Sequence, residues 1–385
     1  MDEQAPFVFG RLAKGNDFTD REQESVRLMK NFSSRINTIL ISPRRWGKSS
    51  LVARAAERAA RKDKQLRFCF IDLFNVRSEA EFYQLLAESV IKASTTKWEE
   101  RMQNIKTFFR QIIPSVSMSP EPNSEFSMKF NLQEVKKKPD EILNLAENIS
   151  KQKKIKLVVC VDEFQNISFF DDALSFQKKL RAAWQQHQIA TYCLYGSKRH
   201  MMMDVFASSS MPFYKFGDLM FLEKIQENDW IEFITKRFSD TGKKIKPEVA
   251  SHLAMSVSCH PYYVQQLAQL SWLQTAKQCD IDIVERALDT LQRQLGLLFQ
   301  TITDGLSNTQ VNFMRAVLEG ATQLSSQENL RKYRLGTSAN VVRIKQALIG
   351  KEILDMLNEN FVFLDPMYEY WLRSTYFKTT VSGIY

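Results

Sequence analysis

The sequence predicts an α/β fold built on a parallel sheet and followed by helical blocks, and two stretches carry that expectation. Ile39–Val52 (ILISPRRWGKSSLV) reads as a buried strand, a tight loop and the start of a helix. Lys156–Ile167 (KLVVCVDEFQNI) reads as a second strand, apolar until it ends on two adjacent carboxylates. A continuous apolar run suits a strand covered on both faces, as in a parallel sheet. Further strand-like runs alternate with amphipathic helical patterns up to about residue 222, which supports the same class.

The first stretch has the layout of a phosphate-binding loop. Backbone N–H groups of such a loop and the positive end of the following helix converge on one anionic group. Lys48 would reach the β- and γ-phosphates, and the Ser49 hydroxyl would ligate Mg²⁺. Ser42 stands where the pattern G-x-x-x-x-G-K-[ST] has its first glycine. Ser42, Pro43, Arg44, Arg45, Trp46, Gly47, Lys48, Ser49 and Ser50 are the candidate nucleotide-binding residues here. Arg44 and Arg45 fit a solvated loop tip, or groups that read the nucleotide or a partner across an interface. The two carboxylates of the second stretch are costly unless they meet a cation or do work. A P-loop ATPase needs both: Asp162 to hold Mg²⁺, Glu163 to polarise the attacking water.

The remaining elements follow in order. Glu22–Ser34 carries one apolar helical face, with Thr19 or Asp20 as its cap. The helix after the loop runs to about Lys62. Leu66–Leu73 is a buried strand with Asp72 towards the ligand crevice. Ser78–Ala93 is a helix opened by a capping box of Ser78 and Glu81. A long charged helix is expected through Arg110. Ile112–Phe130, with three prolines, five serines and period-two alternation, reads as a hairpin-like insertion at about 112–130. The basic run Lys136–Lys138 precedes a helix over Pro139–Ser150. Asp172–His187 is helical, with Leu174, Leu180 and Trp184 inward. Ala190–Ser197 is another buried strand, and its polar end offers Ser197 as the group that senses the γ-phosphate or the lytic water, with Lys198 and Arg199 as alternatives. The catalytic candidates are thus Glu163, Lys48 and Ser197; the metal candidates are Ser49 and Asp162. Phe213–Leu222 gives a last strand.

From Glu223 the pattern is helical: Asn228–Ser239, Lys246–Val257, a helix with Pro261 in its first turn, and Asp282–Phe299. This reads as a lid. Helices over Ser307–Glu319, Ser325–Tyr333 and Thr337–Ile349, then a hairpin of Ile353–Leu357 and Phe361–Leu364, make the winged-helix plan. In nucleic-acid readers the third helix enters the major groove, but here it offers only Arg343 and Lys345. Eight Lys/Arg against seven Asp/Glu over Ser307–Phe377 is a poor balance for contacting several phosphates. A packing or regulatory role for the block fits at least as well. The expected division is residues 1–223, 224–300 and 301–385.

Composition bounds the rest. With 385 residues, 44% hydrophobic and 25% charged, the chain has the make-up of a soluble multidomain protein. No apolar run is long enough to span a bilayer, and the acidic start MDEQAPFVFG does not read as a secretory signal. The five cysteines form no C-x-x-C pair, which suits reduced packing residues in a cytoplasmic protein. Only four histidines, none clustered with cysteines, argue against a structural zinc site. A net charge of +9 allows contact with nucleic acid or an acidic surface, and equally a solvated basic surface.

Taken together the residues resemble the archaeal-type ATPases among the STAND/AAA+-like P-loop NTPases, relatives of the origin-recognition ATPases. The resemblance rests on Phe18-x-x-Arg21-Glu22, Pro43-Arg44-Arg45-x-Gly47-Lys48-Ser49-Ser50-Leu51 and Val161-Asp162-Glu163-Phe164-Gln165. Gly196-Ser197, Pro212-Phe213-Tyr214, His260-Pro261-Tyr262-Tyr263, Phe363-Leu364-Asp365-Pro366 and Trp371-Leu372-Arg373 follow in the same order. It implies an ASCE-type P-loop NTPase core, a helical lid and a C-terminal winged helix, with ATP and Mg²⁺ bound. The segment with Phe18 and Arg21 would lie near the adenine, and the turn of His260 and Pro261 would replace the lid's nucleotide-sensing arginine. Lys215-Phe216 stands where the family often has Gly-Arg, and Ser42 where it has glycine. The implied function is a Mg²⁺-dependent ATPase acting as a nucleotide-driven switch, with ATP/ADP and a homo-oligomer or separate protein effector as partners and no membrane. The alternative is a DNA-associated winged-helix regulator in which ATP is a slow structural cofactor.

Overall fold

The computed structural model describes residues 5–13, 15–94, 118–120, 128–130, 139–357 and 360–378. The charged helix expected up to Arg110, the basic run Lys136–Lys138 and most of the 112–130 insertion lie outside them. The described residues form two compact units: residues 21–223, and residues before 21 together with those from 224 on.

The first unit contains α1 (Glu22–Ser34), β1 (Thr38–Ile41), α2 (Lys48–Lys62), β2 (Leu66–Asp72) and α3 (Glu79–Ser94). Then come β3 (Met118–Pro120), β4 (Met128–Phe130), α4 (Pro139–Leu143), α5 (Leu145–Lys153) and β5 (Lys156–Asp162). It ends with α6 (Ala173–Trp184), β6 (Thr191–Gly196), α7 (Arg199–Phe206) and β7 (Asp218–Phe221). Five strands make one sheet in the order β2-β5-β6-β1-β7, every pair parallel. β3 and β4 pair separately and antiparallel.

Both faces of the sheet are covered, which is why β5 needs no polar residue before its end. Leu157, Val159 and Val161 join a core with Phe82, Phe176, Trp184 and Tyr192. Val158 and Cys160 alternate with them and are equally buried. Phe68 lies in register with Val158, and its ring is 5.2 Å from that of Phe32 of α1, so α1 covers this second face. Asn31 of α1 donates to Thr38 (3.0 Å) and to Asp218 (2.8 Å), tying the edge strand β7 to α1 and β1. The cysteines behave as expected: all five are free thiols and buried.

Local expectations were adjusted by packing. Neither Thr19 nor Asp20 caps α1. Arg21, in the left-handed region, is its N-cap residue, and its carbonyl accepts the first helical bond from Ser25. Ser78 does accept from the Glu81 N–H, but the Glu81 carboxylate returns to the N–H of Arg77, one residue earlier than in a capping box. The helix expected over Pro139–Ser150 is interrupted at Asn144 and resumes to Lys153. Leu174 points outward, 45% exposed, one residue after α6 begins. Phe213 and Phe216 are buried on turns, so the strand expected from Phe213 starts only at Asp218.

A buried polar knot fixes the entry to β6. The Glu147 carboxylate accepts from the N–H groups of Gln188 (3.2 Å), Ile189 (3.0 Å) and Ala190 (2.9 Å). Beside it, His187 is held between the Tyr192 hydroxyl (2.7 Å) and the Asn144 side-chain oxygen (2.9 Å). Since the Asn144 oxygen only accepts, Nε2 carries the proton and Nδ1 accepts from Tyr192. Burial pushes the His187 pKa down to about 4. Unfolded, the ring titrates near 6.5, so the unfolded chain takes up the proton first and stability drops as pH falls through that window. For a half-buried ring we expect about 1–2 kcal/mol. The thermal midpoint of wild type should fall more steeply than that of His187→Gln between pH 6.5 and 4; parallel curves would show that His187 does not contribute.

The second unit contains α8 (Glu227–Ser239), β8 (Lys244–Ile245), α9 (Pro247–Ser256), α10 (Pro261–Gln274), β9 (Gln278–Cys279) and α11 (Ile281–Asp304). Then follow α12 (Asn308–Leu318), α13 (Gln327–Lys332), α14 (Ser338–Gly350), β10 (Leu354–Leu357), β11 (Asn360–Phe363) and α15 (Pro366–Trp371). Three short helices and the antiparallel pair β10–β11 form the winged helix. One hydrophobic core runs from Ile225 to Leu372, and α11 passes unbroken between the two helical blocks. Asp365 caps α15 through the N–H groups of Met367 and Tyr368 while its other oxygen accepts from Tyr263 of α10 at 2.6 Å. The N-terminal segment also belongs here: Phe7 packs on Phe233 and Phe238, and Arg237 donates to the Pro6 carbonyl (2.7 Å) and to Asp17.

Candidate functional site

Parallel pairing brings the carboxyl ends of β1, β5 and β6 to one edge of the sheet, where open α/β sheets bind their ligands. β6 lies between β1 and β5, so the loop after β1 and the acids after β5 face each other across the end of β6. Ile41 is in register with Gly196, and the Ser42 N–H points at the Gly196 carbonyl (3.4 Å).

The loop is short and turns through left-handed backbone at Arg45 (φ 63°) and Gly47 (φ 87°). Gly47 is the N-cap residue of α2, and a side chain there would meet no atom; the constraint is backbone conformation alone. Gly47→Ala should therefore cost roughly 1–2 kcal/mol of loop geometry, read as about a tenfold weaker ATP affinity by titration. An unchanged affinity would show that the loop does not need this conformation. Ser42 is buried and lies outside the left-handed region, so the missing glycine is not demanded by the backbone. Pro43 is half-buried, Arg44 and Arg45 are exposed at the tip, and Ser50 is buried in the first turn of α2. The indole N–H of Trp46 is buried with no hydrogen-bond partner among the described residues.

Lys48 is 8% exposed and its ammonium sits 2.9 Å from Glu163 Oε1 and 3.5 Å from Asp162 Oδ1. The Ser49 hydroxyl donates to Asp162 Oδ2 at 2.5 Å. Glu163 Oε2 accepts from the Gln165 amide (2.5 Å), the Ser197 hydroxyl (2.9 Å) and the Ser197 N–H (3.4 Å). The chain can present both acids here because Glu163 is itself left-handed (φ 51°) and turns β5 into a short 3₁₀ helix, Phe164–Phe169. A non-glycine residue held there stores strain of a kind that gathers at functional sites.

Burial pushes the Asp162 carboxyl above its usual range; Lys48 and the Ser49 hydroxyl pull it back, and the neighbouring Glu163 charge adds to the rise. Burial also opposes ionisation of Glu163, but the Lys48 charge and the hydrogen bonds from Gln165, Lys48 and Ser197 outweigh it and the net direction is down. Glu163 is thus poised as an ionised acceptor, while Asp162 is a carboxylate short of positive charge. Ser49 and Asp162 place two hard oxygen donors 2.5 Å apart, a set that fits Mg²⁺, which takes few protein ligands and completes its shell with water and phosphate.

The structure therefore assembles Lys48 and Ser49 from the start of α2, Asp162 and Glu163 from the end of β5, and Ser197 from just after β6. Arg21 opens α1, where it pairs with Glu24 (3.1 Å). Phe18, His260 and Pro261 belong to the second unit, His260 and Pro261 both buried at the start of α10. Lys198 lies over the Phe169 ring (5.5 Å) and Arg199 over that of Phe221 (5.7 Å). Sequence spacing gave no role to Gln165; only the turn after β5 folds its amide back onto Glu163.

A family profile described as an ATPase domain predominantly from Archaea matches residues 18–267, and a probable winged helix domain matches residues 297–374. No curated protein matches the chain. Among solved structures, a Walker-type ATPase of Pyrococcus abyssi aligns with a TM-score of 0.64 at 16% identity, over 96% of this chain and 99% of that one. The Aeropyrum pernix ORC2 protein, in ADPNP–ADP complexes, aligns with a TM-score of 0.57 at 13% identity, over 94% of each chain. The ORC1 protein of the same organism, in complex with DNA, aligns at 0.50 and 11% identity, over 94% of each. At these identities the likeness is one of fold.

Proposed function

The chain belongs to the family of ATPase domains found predominantly in Archaea, and from that membership and the loop geometry we propose a Mg²⁺-dependent ATPase that uses its nucleotide state as a conformational switch. The observation that carries this reading is the bridging of both Asp162 and Glu163 by Lys48, beside the Ser49–Asp162 hydrogen bond. That arrangement sets the one lysine of the loop beside both acids that end β5, the residue set on which phosphate and Mg²⁺ binding would draw.

In this reading the loop N–H groups and the α2 N-terminus bind the phosphates. Lys48 moves its charge from Glu163 to the β- and γ-phosphates. Ser49 and Asp162 hold Mg²⁺, which would neutralise developing phosphate charge. Glu163, freed from Lys48, accepts the proton of the attacking water, and Ser197 keeps its carboxylate in place. The segment with Phe18 and Arg21 is proposed to lie near the adenine, and the turn of His260 and Pro261 to take the place of the lid's nucleotide-sensing arginine. The working division is a core up to residue 223, a lid over 224–300 and a winged helix over 301–385, with the residues before 21 grouped with those from 224 on and not with the core.

The switch is tested by size-exclusion with light scattering on the Glu163→Gln protein, with and without ATP. A nucleotide-dependent change in mass or radius is expected; identical profiles with saturating bound ATP would remove the switch from the reading. The DNA-associated alternative is less favoured, because the exposed positions of α14 include only one cation, Arg343, beside Val342 and Gln346. Duplex binding whose affinity falls steeply with salt would revive it.

A further inference from the structure

We propose that Gln165 is a positioning residue that decides which oxygen of Glu163 meets the attacking water, and that Gly196 keeps the space it needs. The proposal rests on the ATPase reading above and deepens it. Gln165 is fully buried, yet its Oε1 has no hydrogen-bond partner among the described residues. An unmet carbonyl in the interior is a standing cost that an apolar side chain of the same size would avoid. What the amide supplies is its N–H, donated to Glu163 Oε2 at 2.5 Å.

The two oxygens of Glu163 are held differently. Oε2 takes the Gln165 amide, the Ser197 hydroxyl and the Ser197 N–H. Oε1 takes Lys48 at 2.9 Å. When Lys48 turns to a phosphate, Oε1 is the atom released, and Oε2 stays pinned from the core side. The carboxylate plane is then fixed with one lone-pair edge open, the geometry a general base requires. The Ser197 hydroxyl and N–H hold Oε2 from the end of β6 alone; Gln165 adds a shorter contact from the turn after β5, so that Oε2 is held from two segments.

Gly196 reports the same constraint independently. A Cβ at Gly196 would stand 1.9 Å from Gln165 Oε1 and 2.8 Å from the Met202 sulfur. Its φ lies outside the left-handed region, so the backbone does not demand glycine there; the Gln165 amide does. The last residue of β6 is thus kept bare to seat a side chain from the turn after β5.

The test compares Gln165→Met, which keeps length and loses the donor, with Gln165→Leu, which loses the donor with a shorter, branched apolar side chain. Steady-state ATPase rates, nucleotide affinity by equilibrium titration and thermal midpoints are measured on the full chain. Both variants should lose roughly tenfold to a hundredfold in kcat with ATP affinity and midpoint near wild type. Gly196→Ala should lose kcat likewise, and should lose little more on the Gln165→Met background, because the two changes act on one contact. Wild-type kcat in Gln165→Met, or losses of affinity and stability that parallel the loss of rate, would overturn the positioning role. A wild-type protein that binds ATP and never turns it over would instead overturn the ATPase reading, and the proposal with it.

Discussion

Lys48→Ala is expected to weaken nucleotide binding by roughly a hundredfold or more. The ammonium is nearly buried and sits within salt-bridge distance of two carboxylates, 2.9 Å from Glu163 and 3.5 Å from Asp162. Its removal acts twice. It deletes the cation meant for the phosphates, and it leaves two adjacent carboxylates facing the incoming polyanion with nothing between them. Truncating one member of such a set costs about 3 kcal/mol or more, roughly a hundredfold in affinity. Titration with a fluorescent ATP analogue checks this. The free protein should also lose about 1–3 kcal/mol, since the carboxylates lose their counter-charge. Lys48→Met, which keeps the stem, separates that effect from a folding failure by its thermal midpoint. Wild-type affinity in a folded Lys48→Met protein would remove Lys48 from the phosphate site.

Glu163→Gln is expected to bind ATP as tightly as wild type and to hydrolyse it roughly a hundredfold to ten-thousandfold more slowly. The reason is local. Gln keeps the length and one acceptor for Gln165 and Ser197, so the turn at residue 163 survives. It cannot take a proton from water. It also frees Lys48 from a competing charge, so affinity has no reason to fall. Single-turnover hydrolysis alongside equilibrium binding distinguishes the two steps. Equal rates in both proteins would assign the base elsewhere, with Asp162 the next group to examine.

Much of this site was legible in the sequence because its parts are local patterns. A buried strand ending in a glycine-containing loop with Lys48 and Ser49 has one common chemical use. An apolar strand ending in Asp162 and Glu163 makes physical sense only beside a cation. The winged-helix block was legible too, since helix periodicity and the hairpin's turn residues are written within short windows. Family membership over residues 18–267 agrees with the ATPase reading of the core, and the probable winged helix domain over residues 297–374 with that of the last block. Errors arose where tertiary contacts overrode a local signal. Phe213 and Phe216 look like strand residues but are buried on turns, because the core needs their rings and not their backbone. Leu174 lies on an apolar face by period, yet α6 turns it outward.

By itself the sequence determined which residues are candidates for the proposed chemistry, because side-chain type and loop pattern are local properties of the chain. Only the tertiary structure decided how they meet. Placing β6 between β1 and β5 brings Ser197 onto Glu163, and no spacing in the chain encodes that neighbour. The left-handed turn at Glu163 folds Gln165 back into the core and against Gly196, a contact set by three-dimensional packing between segments some 30 residues apart. Lys48 was named by its motif. The two carboxylates that hold it, and so the exchange proposed for it when a phosphate arrives, were set by the register of a parallel sheet.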